Sequence, residues 1–360
     1  MARAVKHFSL HRIVGTELRV ISDVDNGVLP VIHIEEEVIR GYAETGPWPH
    51  KWVMLFILRD LRPLLRQLHP TAELPPGGAE AMAQRPVVNV YDLADQSGCR
   101  VFVNWQAMVK EGYWDDPMAV RGLLAHEHAH PLAENRTTRE SRRLELDLCV
   151  ERPGCELRSA ECGMRNAESA IRNGGRRVQV LDLLNPLAHK LCLDAPREVF
   201  ANEMAIRGGF GDGLLHLNRR NVANIRAGLA GREDVQRRFS REAAQGGLTN
   251  EAAILLMLIG DLRSHLEMAI ETAPFYRAGR EAEARELEVV LESEVFPHLE
   301  PETARAYTAL REQYIVLRAD FTQAEIVKWG ESLLGILAQA LGEKGPRIRF
   351  SLRASGLVES

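Results

Sequence analysis

The sequence predicts an α+β protein: a small sheet with one motif-bearing helix, followed by a mostly α-helical part. Three observations carry this. Short apolar runs rich in β-branched residues recur up to Asn104, in the manner of strands. A helix with a clear start signal then leads from Asp116 toward Pro131. Beyond the glycine cluster Gly208-Gly209-Phe210-Gly211-Asp212-Gly213, only helical periodicity remains.

Taken in order, residues 1–47 mix β-like stretches, Leu18-Arg19-Val20-Ile21 and Val31-Ile32-His33-Ile34, with polar turns. Lys51 to Leu68 reads as an apolar helix interrupted at Pro63, and Thr71 to Pro86, with Pro75-Pro76-Gly77-Gly78, as a flexible loop. Val87–Val90 and Arg100–Asn104 read as strands. Asp116 suits an N-cap and Pro117 the first helical position, where its missing N–H costs nothing. Met118, Val120, Leu123 and Leu124 follow as apolar positions, and Pro131 should end or sharply kink the helix. A second helix is expected from Asp194, its cap, to Ile206, stopped by Gly208-Gly209. Further helices are expected over Asn250–Ile270, Arg280–Leu291, Glu302–Leu317 and Gln323–Leu341, and Arg347–Leu352 can add an edge strand. The expected division is a catalytic domain over 1–213 with an insertion at about 132–194, a helical domain over 214–345, and a tail over 346–360.

The first helix ends in His126-Glu127-His128-Ala129-His130, which contains a complete H-E-x-x-H. Histidines four apart share one helix face, so two imidazoles can meet one zinc ion while the intervening Glu addresses a water on the same metal. His126 and His130 are therefore candidate metal ligands and Glu127 the candidate general base. His128 points away from the other two by helix geometry and reads as a supporting or surface residue, not a ligand. In the plainer alternative these are ordinary histidines of an amphipathic helix. Leu123-Leu124-Ala125 argue that this face goes inward, where several unpartnered polar groups would be costly.

A catalytic zinc usually takes three protein ligands, and three carboxylates compete for the third place: Glu134, Glu198 and Glu203. Pro131 stands between His130 and Glu134, so helical stacking does not favour Glu134. Strands followed by a helix ending in H-E-x-x-H, with a Glu on a second helix, resemble the gluzincin branch of the zincin metallopeptidases. Within it, Glu198-x-x-Ala201-Asn202-x-x-Ala205 resembles the E-x-x-A-N-x-x-A helix of small bacterial peptidases of the ImmA/IrrE type. The resemblance covers Val101 to Ile206 and implies Glu198 as the ligand, with Asn202 orienting a metal-binding His. Other gluzincins carry an Asn-Glu pair with the Glu ligating, which Asn202-Glu203 fits; Glu198 is preferred. The 67 residues between His130 and Glu198 exceed what those compact families suggest, and the insertion could build a cleft or a lid. The carboxylate that does not ligate would pair structurally with arginines such as Arg197 or Arg207. The superfamily also implies an oxyanion-stabilising Tyr or His, for which Tyr113, His189 and His216 are candidates that spacing does not separate.

A net charge of −5 and a pI near 6.2 argue against nucleic acid as a partner, and Arg136, Arg139, Arg142 and Arg143 read as a solvated helix face. The longest apolar runs, Trp52 to Leu58 and Ala252 to Ile259, fall short of the roughly 20 residues of a membrane span, so no membrane partner is expected. No signal peptide is apparent, and five cysteines, an odd number, suit reduced thiols in the cytoplasm. Cys149, Cys155, Cys162 and Cys192 lack C-x-x-C spacing and read as free thiols rather than a second zinc site. The resulting expectation is a zinc-dependent hydrolase holding one Zn2+, most readily a metallopeptidase acting on peptide or protein substrates. Its rival is a regulatory zincin-like protein with a structural zinc and a partner-binding helical half. Action on a non-peptide amide is a third option, because H-E-x-x-H names the chemistry and not the substrate.

Overall fold

A computed structural model describes residues 5–25, 27–46, 48–62, 83–93, 95–150, 170–173, 176–246, 249–342 and 348–354. The chain forms two compact units, Met1–Ala133 with Ala201–Leu217, and Glu134–Phe200 with Asn218–Ser360. Most of the segment expected as an insertion, 134–194, thus belongs to the second unit.

The first unit is built on a five-stranded mixed sheet. Its strands are β1 (His7–Ile13), β2 (Thr16–Ser22), β3 (Trp52–Leu58), β4 (Val87–Tyr91) and β5 (Gly98–Asn104), in the order β1-β2-β3-β5-β4. β2, β3 and β5 run parallel, and β1 and β4 pair antiparallel at the two edges. The strands expected over Leu18–Ile21, Val87–Val90 and Arg100–Asn104 are present.

Two expectations fail here. Val31–Ile34 lies inside α1 (Val28–Thr45), whose buried residues Val28, Val31, Ile32, Ile34, Glu35, Val38, Ile39 and Tyr42 repeat at helical spacing. A window of four residues, three of them β-branched, hid that longer period. The helix expected from Lys51 is instead β3, a central strand whose Val53, Leu55 and Ile57 are fully buried. Trp52-Val53-Met54-Leu55-Phe56-Ile57-Leu58 is apolar throughout, and such a run suits a doubly covered strand as well as a buried helix. Residues 63–68 of that expectation, and 71–82 of the expected loop, lie outside the described residues.

After the short α2 (Trp105–Lys110), α3 (Pro117–Leu132) carries the H-E-x-x-H motif. As expected, Asp116 caps it, accepting from Ala119 N–H at 3.1 Å, and Pro117 opens it. Gly122 of α3 lies against Gly213, where a Cβ would come within 2.7 Å of the Gly213 carbonyl oxygen and of Leu217 Cδ1. Only a residue without a Cβ permits that backbone approach. Gly122→Ala is expected to destabilise the protein by about 1–3 kcal/mol, read from urea unfolding; an unchanged midpoint would show that the contact yields freely.

In the second unit, α4 (Arg136–Ser141) leads to two two-stranded sheets. β6 (Leu144–Val150) pairs antiparallel with β9 (Ile348–Ala354), and β7 (Ala170–Asn173) with β8 (Arg176–Gln179). The edge strand expected in the tail is therefore present; its partner within the expected insertion was not foreseen. Next comes α5 (Val180–His189), a π turn over Lys190–Asp194, and α6 (Ala195–Ala205). Asp194 consequently does not cap a new helix, because it sits inside a continuous one. The buried Tyr314 hydroxyl donates to the Leu191 carbonyl of the π turn at 2.9 Å. Gly208-Gly209 does break the helical path: Gly209 has φ 89°, a left-handed value that suits glycine. The path resumes at once as α7 (Gly211–Ala244).

The helical periodicity read from the sequence reappears as α8 (Asn250–His265), α9 (Met268–Arg277), α10 (Glu281–Val290), α11 (Pro301–Ile315) and α12 (Gln323–Gly342). The helix expected over Asn250–Ile270 is split in two near Leu266. Arg232 grips the buried Asp261 with two hydrogen bonds of 2.7 Å. His265, whose Nδ1–H donates to the Asp261 carbonyl at 2.6 Å, is held below its ordinary value of 6.5 by burial and by Arg232, against the pull of Asp261. The unfolded chain therefore takes up a proton at this residue before the folded one does. Its contribution is intact above pH 6.5 and lost as pH falls through the lowered value, so His265→Gln should flatten the acid side of the stability profile. Equal acid slopes for the two proteins would refute this.

Candidate metal centre

α3 is buried on several sides: Ala119, Val120, Gly122, Leu124, Ala125, Ala129 and Pro131 are buried, as are Glu127, His128 and His130. The Tyr42 hydroxyl of α1 donates to the Ala125 carbonyl at 2.7 Å. Pro131 does not end the helix at the preceding residue, which continues to Leu132. A proline in this position removes the N–H that would bond the carbonyl four residues back, that of Glu127. Asn89 of β4 replaces it: its side-chain Nδ2–H donates to the Glu127 carbonyl at 3.0 Å. The same residue's backbone N–H donates to Glu127 Oε2 at 3.0 Å. Asn89 thus repairs the helix and fixes the carboxylate together.

His126, Glu127 and His130 each bring a potential ligand atom to within 4.8 Å of the others, and the two imidazole rings are 4.6 Å apart, edge to face. Asn202 of α6, itself buried, lies with Oδ1 2.7 Å from His126 Nδ1. A carbonyl oxygen only accepts, so the ring carries a proton on Nδ1, the tautomer in which Nε2 is the ligating atom. The donor set therefore fits zinc: two imidazoles at helical spacing, one held in the ligating tautomer, with a carboxylate between them.

The carboxylates considered for the third ligand are placed differently. Glu134 bonds Arg142 and the Thr138 hydroxyl, and Glu203 bonds Arg207 one turn on at 2.9 Å. Glu198 is half-buried and precedes Asn202 by one turn of the same helix. Of the oxyanion candidates, His216 Nε2 lies 2.7 Å from Asp116 Oδ2, at the start of α3 and about 15 Å of helix rise before His126. His189 faces Asp194 at 3.5 Å, which raises its pKa, and Tyr113 lies in the turn after α2.

His128 does point away from this group, but it is not a surface residue. It is fully buried, with Nε2 2.8 Å from Glu35 Oε1 and Nδ1 4.0 Å from Cys99 Sγ. Burial lowers its pKa, but the Glu35 carboxylate outweighs this and the ring is pushed up to about 10. His50 beside it is pushed down to about 4, by burial and then by the charge on His128. Cys99, His50 and Glu35 had no place in the sequence reading. The signal that would have found Glu35 is a carboxylate on the apolar stripe of α1, legible once that segment is read as a helix. Of the cysteines considered earlier, Cys192 is a buried free thiol whose pKa is raised by burial; the Cys149 side chain, Cys155 and Cys162 lie outside the described residues.

No family model matches this chain, and no curated protein or solved structure matches it significantly. Among the described residues, no helix is long and apolar enough to cross a membrane.

Proposed function

We propose that this protein is a zinc-dependent hydrolase of zincin type, a metallopeptidase in which His126, His130 and Glu198 hold the ion and Glu127 is the general base. The observation that carries the reading is the 2.7 Å contact from His126 Nδ1 to Asn202 Oδ1 beside the clustered Glu127 and His130. Zinc held by these residues would supply Lewis-acid chemistry, polarising a substrate carbonyl and making water a better nucleophile near neutral pH. Asn202 keeps His126 in the tautomer that ligates. Glu198 is nominated because it lies one turn before Asn202 on the same helix face.

Glu127, with Oε2 anchored by the Asn89 N–H, takes a proton from the attacking water and returns it to the leaving amine. A peptide substrate is favoured by the position of β4. Among the described residues it pairs only with β5, so it is an outer strand, and its Asn89 touches the general base. An extended chain laid along that edge would pass beside Glu127, whose carboxylate already takes the Asn89 N–H.

Zinc titration of the chelated protein tests the reading. His126→Ala should abolish binding of this ion, and Asn202→Ala should weaken it by about 10–100-fold, as loss of a partner that orients a ligating His does. Hydrolysis of an unfolded casein-like substrate should fall with the metal and return on its addition. Unchanged zinc affinity in both variants would rule the site out. Normal zinc binding without hydrolysis of any amide would leave a structural ion instead.

A further inference from the structure

Helical geometry puts His128 on the side of α3 opposite His126 and His130, about 200° around the axis. There His50, Cys99 and His128 each offer a ligand atom within 4.8 Å of the others, and all three are buried. We propose that these residues form a second, buried metal site, one that takes Zn2+ on three protein ligands.

The first argument is hydrogen bonding. His50 Nδ1–H donates to the Gln96 carbonyl at 2.6 Å, so its Nε2 is a bare lone pair, and among the described residues that buried atom has no partner. An orphaned acceptor in the interior costs about 1–3 kcal/mol, and a metal ion removes the cost by ligation. The Sγ of Cys99 stands 4.0 Å from His128 Nδ1, at the outer limit for a sulfur hydrogen bond. A tetrahedral zinc, with Zn–S near 2.3 Å and Zn–N near 2.0 Å, sets sulfur and nitrogen about 3.5 Å apart, so only a small contraction is needed.

The second argument is the set of groups behind the ligands. His128 Nε2–H donates to Glu35 Oε1 at 2.8 Å, and His50 to Gln96, so each imidazole has its outer nitrogen tied down and its inner one turned to the group. Glu35 Oε2 is also buried without a partner among the described residues.

Charge balance points to a divalent ion. Zn2+ with the Cys99 thiolate and the Glu35 carboxylate sums to zero in a buried site, whereas a monovalent ion would leave a buried negative charge. Trp48 covers the group, its ring centroid 4.8 Å from His50 and 5.4 Å from His128. That cover argues against a substrate reaching Cys99 as a nucleophile.

Metal content together with the spectrum of the Co2+-loaded protein tests the site independently of the H-E-x-x-H centre, which has no sulfur ligand. Wild type should hold two zinc ions per chain; His126→Ala, Cys99→Ser and His50→Gln one each; and His126→Ala/Cys99→Ser none. Co2+ should give a near-ultraviolet thiolate-to-metal band in wild type and in His126→Ala, absent from Cys99→Ser. No such band in fully loaded wild type overturns the proposal even if every variant misfolds. A band that survives in Cys99→Ser overturns it too, as does loss of all metal in His126→Ala alone. Metal lost in Cys99→Ser but fully kept in His126→Ala would instead support this site and remove the other.

Discussion

Replacing Glu127 by Gln is expected to lower hydrolysis by about 10²–10⁴-fold while zinc stays bound, the range that removal of a positioned general base produces. The substitution is nearly isosteric. An amide oxygen can still accept from the Asn89 N–H, and the bond from Asn89 Nδ2–H to the residue 127 carbonyl involves only the backbone. What disappears is the capacity to take a proton at neutral pH. kcat/KM and zinc content should therefore be measured on the same preparation. Activity within a few-fold of wild type would remove Glu127 from the chemistry. Zinc lost together with activity would make the carboxylate a ligand or a structural brace.

Glu35→Ala, in the metal-free protein, should cost about 3–5 kcal/mol of folding stability, the scale for breaking a buried ion pair by removing one partner. Both side chains of the Glu35–His128 pair are 0% exposed, so neither recovers solvation when the other is lost. His128 would be left with an unmatched ring nitrogen in an apolar interior, next to a cavity where the carboxylate stood. Glu35→Gln separates charge from shape: it keeps an acceptor and most of the volume and should lose less than the alanine variant. Urea unfolding at neutral pH decides it. A loss below about 1 kcal/mol for Glu35→Ala would show that water enters and replaces the carboxylate.

Signals of short range were legible in the sequence. Asp116-Pro117 marked the start of α3, the spacing of His126 and His130 put them on one face, and the helices after Leu214 followed from periodicity. Asn202 was reached through motif resemblance, and its side chain meets His126. What escaped depends on partners distant along the chain. Nothing near Asn89 says that it will replace a hydrogen bond lost to Pro131, and Glu35 of α1, His50 before β3 and Cys99 of β5 reach His128 from three distant places in the chain. Local ambiguity accounts for the rest. The apolar run from Trp52 to Leu58 has no polar position to betray its period, and Val31–Ile34 is too short to show one.

The π turn at Lys190–Asp194 amounts to one residue more than an α-helix needs for its length. A surplus residue shifts phase: side chains before and after it fall out of step by about 100°, the angle an α-helix turns per residue. Excising one residue there would barely shorten the path from α5 to α6. It would rotate one helix against the other, so Glu198 and Asn202 would sweep round the axis together while the apolar face of α5 stayed where it was. The direction in which α6 presents its polar groups is thus set by a count of residues upstream, and this stretch should tolerate substitution far better than deletion.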